Sequence, residues 1–156
     1  PADLVGAGTG AHGAILENKI SVVEKAIARV GTRLSPEEAL RRLGGREMAA
    51  LYGAMSQALS QRCVVLVDGF IVSVVAAVLL LTHPQARAGL IFAHRSEERG
   101  HALVLALLGV RPLLDVKLRL GEASGALAAF SLLEQACLLH NEMVTFESAQ
   151  VPEEAL

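Results

Sequence analysis

The chain has 156 residues and a formal net charge of −2, and its Lys and Arg residues are scattered along the sequence. This balance offers no electrostatic attraction to nucleic acid or to a polyanionic surface. Hydrophobic residues make up 53% of the chain and aromatic residues only 3%. We therefore expect one α/β domain over residues 1–156, with a core of Ala, Val, Leu and Ile.

Three helices are predicted in the first part of the chain. Apolar residues recur at helical spacing from Ala14 to Val30. A second helix is predicted where Ser35 is a typical N-cap, Pro36 fits the first turn and Glu38 completes a capping box. Two glycines end that helix, and a third helix follows at residues 46–61.

An apolar segment at residues 63–81 approaches the length of a membrane span. Asp68 and Gly69 interrupt it near the middle, and a carboxylate there is costly in hydrocarbon. The β-branched half before Asp68 predicts a buried parallel strand, and residues 70–81 predict a packed helix. We therefore expect a soluble fold without a membrane partner.

The remaining residues repeat this alternation of strand and helix. Residues 90–94 predict a second buried strand, 100–108 a helix, 112–116 a short strand and 127–146 a long last helix. The pattern favours a Rossmann-like parallel sheet flanked by helices, with the last helix a candidate part of a small helical subdomain.

The two cysteines, Cys63 and Cys137, lie in separate apolar stretches. This placement is typical of small buried hydrophobic residues in a reducing compartment and not of a disulfide or metal framework. The first residues are polar and glycine-rich and do not form a signal peptide. We therefore expect a cytoplasmic protein.

In a parallel sheet, ligands bind beyond the carboxyl ends of the strands. This rule selects the loops at residues 67–70 and 93–97 and the turn at 118–126. A fourth candidate is the glycine-rich segment 5–10, whose backbone amides suit a phosphate. It resembles a dinucleotide fingerprint only loosely, because Ala11 occupies the third glycine position and no strand precedes it.

The turn at residues 118–126 contains a single carboxylate, Glu122. Gly121 and Gly125 on either side allow the backbone to approach a ligand closely. Two interpretations stand at this point. Glu122 is either a reactive group presented by the turn or a residue at a helix N-terminus that complements the helix dipole.

Seven ordered segments together resemble one family. They are VGAGTG at 5–10, LRRLGGREMAA at 40–50, VDGFI at 67–71, AHRSEERGH at 93–101, RPLLD at 111–115, RLGEASGA at 119–126 and MVTF at 143–146. The chain is similar in these segments to nicotinate-nucleotide–dimethylbenzimidazole phosphoribosyltransferases, which build the lower-ligand nucleotide of cobalamin. The resemblance covers nearly all of this chain but only the later half of the family's length.

The resemblance implies phosphoribosyl transfer from nicotinate mononucleotide to dimethylbenzimidazole, which gives α-ribazole phosphate and nicotinate without a cofactor. Glu122 matches the family's catalytic glutamate, which acts as general base on the acceptor nitrogen. Leu120 matches a residue that packs on the flat acceptor base, and Gly121 belongs to the same substrate-binding turn. An apolar pocket is expected around the carboxylate to exclude water from the reacting centre.

Three further residues match family positions that contact the nucleotide. Gly8 and Lys19 match residues at the phosphate, where glycine offers an amide and lysine a point charge. The alternative for Lys19 is a solvated helix lysine paired with nearby acids. Ser96 matches a nucleotide-contacting serine, and its alternative is an N-cap of the following helix.

Three polar residues near these loops are predicted to have structural roles. Asp68 is expected to cap the helix that follows it. His94 and His101 are expected to serve loop packing and hydrogen bonding, because no Cys or third His completes a metal-ligand set. The sequence therefore predicts no metal site.

Two positions depart from the family pattern. Family members often have Gly-Glu-Gly-Ser/Thr-Gly at the catalytic turn, whereas this chain has Ala123, which is tolerable if its φ is negative. The family's Glu-Pro-Gly-His is Glu-Arg-Gly-His here, with Arg99 in place of proline. Neither change removes a reacting group.

Two functions from different classes follow. The first is the transferase, in which the chain is the C-terminal portion of a longer phosphoribosyltransferase-like protein that forms a homodimer, with residues 127–139 contributing to the interface. The alternative is a non-catalytic nucleotide-binding or assembly fragment, because the family's earlier half carries another phosphate loop and residues that enclose the acceptor base.

Overall fold

The computed structural model describes residues 2–8, 10–31 and 33–150. Its helices are α1 (Ala14–Val30), α2 (Pro36–Leu43), α3 (Arg46–Ser60), α4 (Phe70–Thr82), α5 (Arg99–Leu107) and α6 (Ser124–Glu142), and its strands are β1 (Val65–Val67), β2 (Leu90–Phe92), β3 (His94–Ser96) and β4 (Leu114–Leu118). Short 3₁₀ helices lie at Ala2–Leu4 and Pro84–Gly89. The predicted α/β class is confirmed.

The strands form two parallel pairs, β1 with β2 and β3 with β4. Ala93 joins them, because its N–H donates to the Val67 carbonyl at 2.8 Å and its own carbonyl accepts from the Leu114 N–H at 2.9 Å. The segment from β2 to β3 therefore has β1 on one side and β4 on the other. The predicted parallel arrangement of the first two strands is confirmed, and both strands are shorter than predicted.

The core is aliphatic, as the composition predicts. Helix α4 is apolar on nearly every side, which is typical of a helix buried all round. It packs against α2, α3 and α5 and against β1. The buried cluster consists of Met55, Val67, Val75, Ala76, Leu79, Leu90, Phe92 and Leu105.

Helix α2 begins at its predicted cap. Ser35 Oγ accepts a hydrogen bond from the Glu38 N–H at 3.2 Å, and Pro36 is the first helical residue. The Glu38 carboxylate is bonded to Arg41 and Arg42. These hydrogen bonds lower the pKa of Glu38 to about 2. The Ser35 cap is therefore confirmed, but the predicted capping box is not, because the Glu38 carboxylate accepts from Arg41 and Arg42 and, among the described residues, not from the Ser35 N–H.

Helix α6 begins three residues before its predicted start and ends at Glu142. Its buried residues, Gly125 and Ala129, both lie in the first two turns, and the helix contacts β1, β3 and β4. From Glu134 onward its residues are exposed. The helix therefore joins the α/β layer through its first turns, and its exposed remainder is the part available to the predicted helical subdomain.

The prediction of buried cysteines is wrong. Cys63 lies just before β1 and Cys137 lies on the outer part of α6, and both are exposed free thiols. Cys63 precedes the part of the predicted strand that enters the sheet. Cys137 lies beyond the buried first turns of α6. Among the described residues, no helix is long and apolar enough to cross a membrane.

Candidate active site

The carboxyl ends of the strands meet at one rim, where three predicted loops converge. Asp68 follows β1, His94 follows β2, and Glu122 follows β4. The Ala126 N–H at the start of α6 donates to Asp68 Oδ1 at 2.9 Å. The predicted placement of Asp68, His94 and Glu122 on one rim is therefore confirmed.

Glu122 lies in a turn of unusual backbone conformation. Its φ is 60°, and the φ of Ala123 is 62°, so two consecutive residues with side chains occupy the left-handed region. Ala123 therefore does not have the negative φ under which an alanine in place of the family's glycine would be free of strain. Helix α6 begins only at Ser124, so Glu122 precedes the helix and its exposed carboxylate is not part of the first turn.

The side of the turn assigned to the acceptor base is open. Leu120 is 69% exposed, Gly121 is exposed, and a Cβ at Gly121 would meet no atom within 4 Å. The residues that the structure describes do not form the apolar pocket expected around Glu122. The turn presents an exposed leucine and, two residues later, an exposed carboxylate.

The two residues assigned to the phosphate are neighbours. Lys19 Nζ donates to the Gly6 carbonyl at 2.9 Å, and a Cβ at Gly8 would lie 3.4 Å from the same nitrogen. Gly8 has a φ of 58°, which glycine adopts without strain. Within the described residues no carboxylate lies within 4.0 Å of Lys19, so no acid pair supports its alternative role.

Ser96 connects the glycine-rich loop to the Glu122 side of the rim. Its Oγ accepts from the Glu98 N–H at 3.3 Å, and the Glu98 carboxylate packs against Gly6. In the sheet, Ser96 pairs with Leu118, which lies four residues before Glu122. Glu98, not Ser96, is the N-cap residue of α5, so the alternative role of Ser96 as that cap is wrong.

His101 is fully buried beside Ser96 and has partners on both ring nitrogens. The Ser96 N–H donates to Nδ1 at 2.8 Å, and Nε2 lies 2.9 Å from Ser73 Oγ. Because Nδ1 accepts, the neutral ring carries its proton on Nε2 and donates it to Ser73. Burial, followed by the charges of His94 and Arg95, lowers the pKa of His101 to about 4, so the ring is neutral near pH 7.

Asp68 caps a different helix from the one predicted. The N-cap of α4 is Gly69, without a side-chain hydrogen bond, while Asp68 Oδ1 accepts from Ala126 in the first turn of α6. The prediction that Asp68 caps the following helix is therefore wrong. The carboxylate instead links the end of β1 to the residues just after the Glu122 turn.

His94 packs as predicted but lacks the predicted hydrogen bonds. It is 1% exposed, and neither ring nitrogen has a hydrogen-bond partner among the described residues. Its Nδ1 lies 3.5 Å from Asp68 Oδ1, which is too long for a well-formed hydrogen bond. A Cβ at Gly125 would overlap the His94 ring, so this glycine permits a contact that the sequence analysis missed.

Two open clefts lie away from the rim. One of about 560 Å³ is at the opposite end of the sheet, between α3, α4 and the residues that precede β1 and β2, with Arg62, Cys63, His83 and Gly89 among its lining residues. A second of about 330 Å³ lies between α2 and α3. Neither is lined by a predicted site residue, so we assign the site to the open rim.

The predicted site residues thus fall into two adjoining groups. Gly8 and Lys19 lie together at the glycine-rich loop, and Ser96 is linked to Gly6 of that loop through Glu98. Leu120, Gly121 and Glu122 form the turn that follows the strand paired with Ser96. The first group offers a cation and backbone amides, and the second a carboxylate beside an apolar side chain. Among the described residues, no group of three or more His, Cys, Asp or Glu is arranged to hold a metal ion.

Comparisons with known proteins point in one direction. The sequence profile of a phosphoribosyltransferase family matches residues 1–151. The nicotinate-nucleotide–dimethylbenzimidazole phosphoribosyltransferase of Bradyrhizobium sp. (strain ORS 278) is 51% identical over 153 residues, covering 97% of this chain and 44% of that protein. The protein of the same name from Xanthomonas oryzae pv. oryzae (strain PXO99A) is 49% identical over 151 residues, covering 97% and 43%.

A solved structure shows the same relation. The crystal structure of CobT from Thermus thermophilus superposes with a TM-score of 0.88 at 37% identity, covering 98% of this chain and 46% of that one. The chain therefore spans less than half the length of the relatives that it matches.

Proposed function

Because the chain belongs to the nicotinate-nucleotide–dimethylbenzimidazole phosphoribosyltransferase family, we propose that the intact protein transfers a phosphoribosyl group from nicotinate mononucleotide to dimethylbenzimidazole. The products are α-ribazole phosphate and nicotinate, as in the synthesis of the cobalamin lower ligand. The observation that carries the proposal is the rim itself, where Ser96 and Glu98 link the strand before the carboxylate turn to the glycine-rich loop and its lysine. Both substrates are small molecules, and the reaction uses no cofactor.

Glu122 is the general base of this reaction. An acceptor nitrogen attacks the anomeric carbon of the ribose, and the bond from that carbon to the nicotinate nitrogen breaks with its electron pair leaving on nicotinate. The N–H proton of the acceptor passes to the Glu122 carboxylate as the ring nitrogen gains positive charge. Attack from the face opposite the leaving group inverts the anomeric carbon and gives the α-riboside.

Gly8, Lys19 and Ser96 hold the nucleotide. The Lys19 ammonium has one oxygen partner in the described residues, the Gly6 carbonyl, and retains hydrogen-bond donors for a phosphate. The Gly8 backbone lies beside that ammonium without a side chain to block it. Ser96 ends β3 beside Leu118 of β4, and its Oγ accepts from the N–H of Glu98, whose carboxylate packs against Gly6. It therefore suits a ribose or phosphate contact.

Leu120 and Gly121 bind the acceptor base. The Leu120 side chain supplies an apolar surface for a flat ring, and the space above Gly121 is unobstructed. We propose that residues 1–156 form one α/β domain, the C-terminal portion of a longer chain, and that residues outside it complete the acceptor pocket. This assignment accounts for the exposure of Glu122.

We further propose that the intact protein is a cytoplasmic homodimer. The part of α6 at residues 127–139 supports the dimer, because it exposes Leu127, Phe130, Leu132, Leu138 and Leu139 and apolar patches of this kind mark interfaces. The two free thiols suit a reducing compartment. A monomeric mass for the intact protein in light scattering would contradict the dimer.

The function is tested by incubating the intact protein with nicotinate mononucleotide, with and without dimethylbenzimidazole. We expect nicotinate release only when the base is present, together with one equivalent of α-ribazole phosphate detected by mass spectrometry. Nicotinate release that does not depend on the base would indicate hydrolysis, and the absence of release would remove the transferase proposal.

A further inference from the structure

The Glu122 turn requires support from outside itself. Glu122 and Ala123 both have positive φ, near 60°, although neither is a glycine. Residues in this conformation persist when the surrounding structure over-determines them, and they concentrate at functional sites. The turn has two hydrogen bonds of its own, from the Ser124 N–H to the Gly121 carbonyl at 3.2 Å and from the Ser124 hydroxyl to the Leu120 carbonyl at 3.3 Å. Neither involves Glu122 or Ala123, and helix α6 has no side-chain cap at its start, so contacts from other elements matter as well.

Two buried side chains supply those contacts just after the strained pair. Asp68 Oδ1 accepts the Ala126 N–H at 2.9 Å, which fixes one of the first amides of α6 to the end of β1. The Gly125 backbone lies directly against the His94 ring, since a Cβ there would overlap that ring. Two contacts therefore fix the position of the start of α6: the hydrogen bond to Asp68 and the packing of Gly125 on the His94 ring.

The His94 ring is itself held between two glycines. A Cβ at Gly69 would lie 3.3 Å from its Cε1 and Nε2, and Gly125 occupies the Nδ1 side. Buried polar atoms in proteins are nearly always hydrogen-bonded, yet both nitrogens of this ring lack a partner among the described residues. An apolar side chain would fill this space without leaving nitrogens unpaired, so the presence of a histidine indicates a role beyond packing.

We propose that Asp68 and His94 are positioning residues that hold the Glu122 turn, and thereby the general base, against the sheet. Asp68 and His94 are 8% and 1% exposed, so neither reaches a substrate; they act through Ala126 and Gly125. The assignment of a catalytic consequence rests on the proposed function. Loosening the turn moves the carboxylate away from the acceptor nitrogen and leaves the nucleotide site unchanged.

The test compares Asp68→Ala with Asp68→Asn in the intact protein. Asn keeps an oxygen that accepts the Ala126 N–H, and Ala does not. For Asp68→Ala we expect amide hydrogen exchange over residues 119–127 to rise about tenfold or more, and kcat to fall about 10–100-fold because the base is misplaced. The KM for nicotinate mononucleotide should stay within about threefold, and Asp68→Asn should resemble the wild type.

A second variant disturbs the start of α6 at the contact between Gly125 and His94 and leaves Asp68 unchanged. Gly125→Ala introduces a Cβ that overlaps the His94 ring, and it should give the same rise in exchange and fall in kcat. Its control is Gly53→Ala in α3, where the new Cβ would meet no atom within 4 Å and both readouts should remain as in the wild type.

Wild-type exchange at residues 119–127 in both Asp68→Ala and Gly125→Ala would overturn the proposal, as would faster exchange with an unchanged kcat. The proposed function fails separately, through the absence of nicotinate release from the wild type. In that case the exchange measurement still decides whether Asp68 and His94 hold the turn.

Discussion

At the scale of single residues, the two histidines below the rim differ in how their rings are satisfied. The Ser96 N–H donates to one nitrogen of His101, and the other nitrogen pairs with Ser73 Oγ. These two hydrogen bonds favour the neutral form of the ring. His94 packs near it with the ring centroids 6.4 Å apart and has no hydrogen-bond partner in the described residues. Protonating His101 would remove its acceptor for Ser96 and add a charge beside His94.

The first prediction concerns the pH dependence of stability. The pKa of His101 is about 4 in the folded protein, against an ordinary value of 6.5, so at low pH the unfolded chain binds a proton that the folded chain refuses. The neutral, buried His101 therefore contributes stability that is fully present above pH 6.5 and is lost as the pH falls to about 4. The free energy of unfolding should drop by about 3 kcal/mol across that window.

The control for this prediction is His101→Asn, which removes the titrating ring and keeps an acceptor near Nδ1. Its free energy of unfolding, measured by urea denaturation, should be lower at pH 7 and should depend less on pH between 6.5 and 4. Equal pH dependence in the variant and the wild type would show that His101 does not carry the effect.

Single-residue roles were predictable from the sequence only where both partners are close along the chain. The cap formed by Ser35 joins residues three apart, and its pattern is local. Asp68 and its partner Ala126 are 58 residues apart, and a local rule assigned Asp68 to the helix beside it. Gly125 carried a usable signal, because glycine in the first turn of a helix is unfavourable unless something excludes a side chain.

At the scale of elements, the first helices were predicted more accurately than the strands, whereas α6 begins three residues and ends four residues before its predicted bounds. The bounds of α1 agree with the prediction at both ends, because the helical spacing of apolar residues can be recognised within a short stretch of sequence. The first predicted strand covers residues 63–68, but only Val65–Val67 pairs with a partner. The extent of a strand depends on its neighbour, which local sequence does not reveal.

The second prediction tests how α1 and the glycine-rich loop work together. Lys19→Ala should weaken binding of nicotinate mononucleotide to the intact protein about tenfold or more at low salt, because a charge-assisted contact to phosphate is lost. The loss should be smaller at high salt, where screening weakens the interaction in the wild type as well. Titration calorimetry at two salt concentrations measures both effects.

The matched control is Lys25→Ala, which removes an exposed lysine of the same helix and should leave affinity unchanged. If both variants bind as the wild type does at low salt, Lys19 is a solvated helix lysine and the phosphate lies elsewhere on the rim.

At the scale of the whole molecule, the rim was predictable and its surroundings were not. Parallel strands that alternate with helices bring their carboxyl ends together, which was enough to group Asp68, His94 and Glu122. The closed apolar pocket expected around Glu122 is not formed by the described residues, and Leu120 is 69% exposed. Whether a pocket around Glu122 is closed depends on which other surfaces pack against the turn. The chain spans only 44% of the Bradyrhizobium protein that it matches.

The central claim is that Glu122 is the general base, and one substitution tests it most directly. Glu122→Gln keeps the size of the side chain and its exposed position while removing its ability to accept the acceptor proton. Glu24→Gln on α1 is the matched control, since it makes the same change at another exposed glutamate. Nicotinate release and thermal unfolding are measured on the intact protein and both variants.

We predict that Glu122→Gln lowers kcat by about 10²–10⁴ with nearly unchanged stability, because general base catalysis contributes that range, while Glu24→Gln retains wild-type turnover. A helix-dipole role predicts the opposite pattern, a stability loss of about 0.3–1 kcal/mol with near-normal turnover. Wild-type nicotinate release from Glu122→Gln would contradict the catalytic assignment even though the chain belongs to the family.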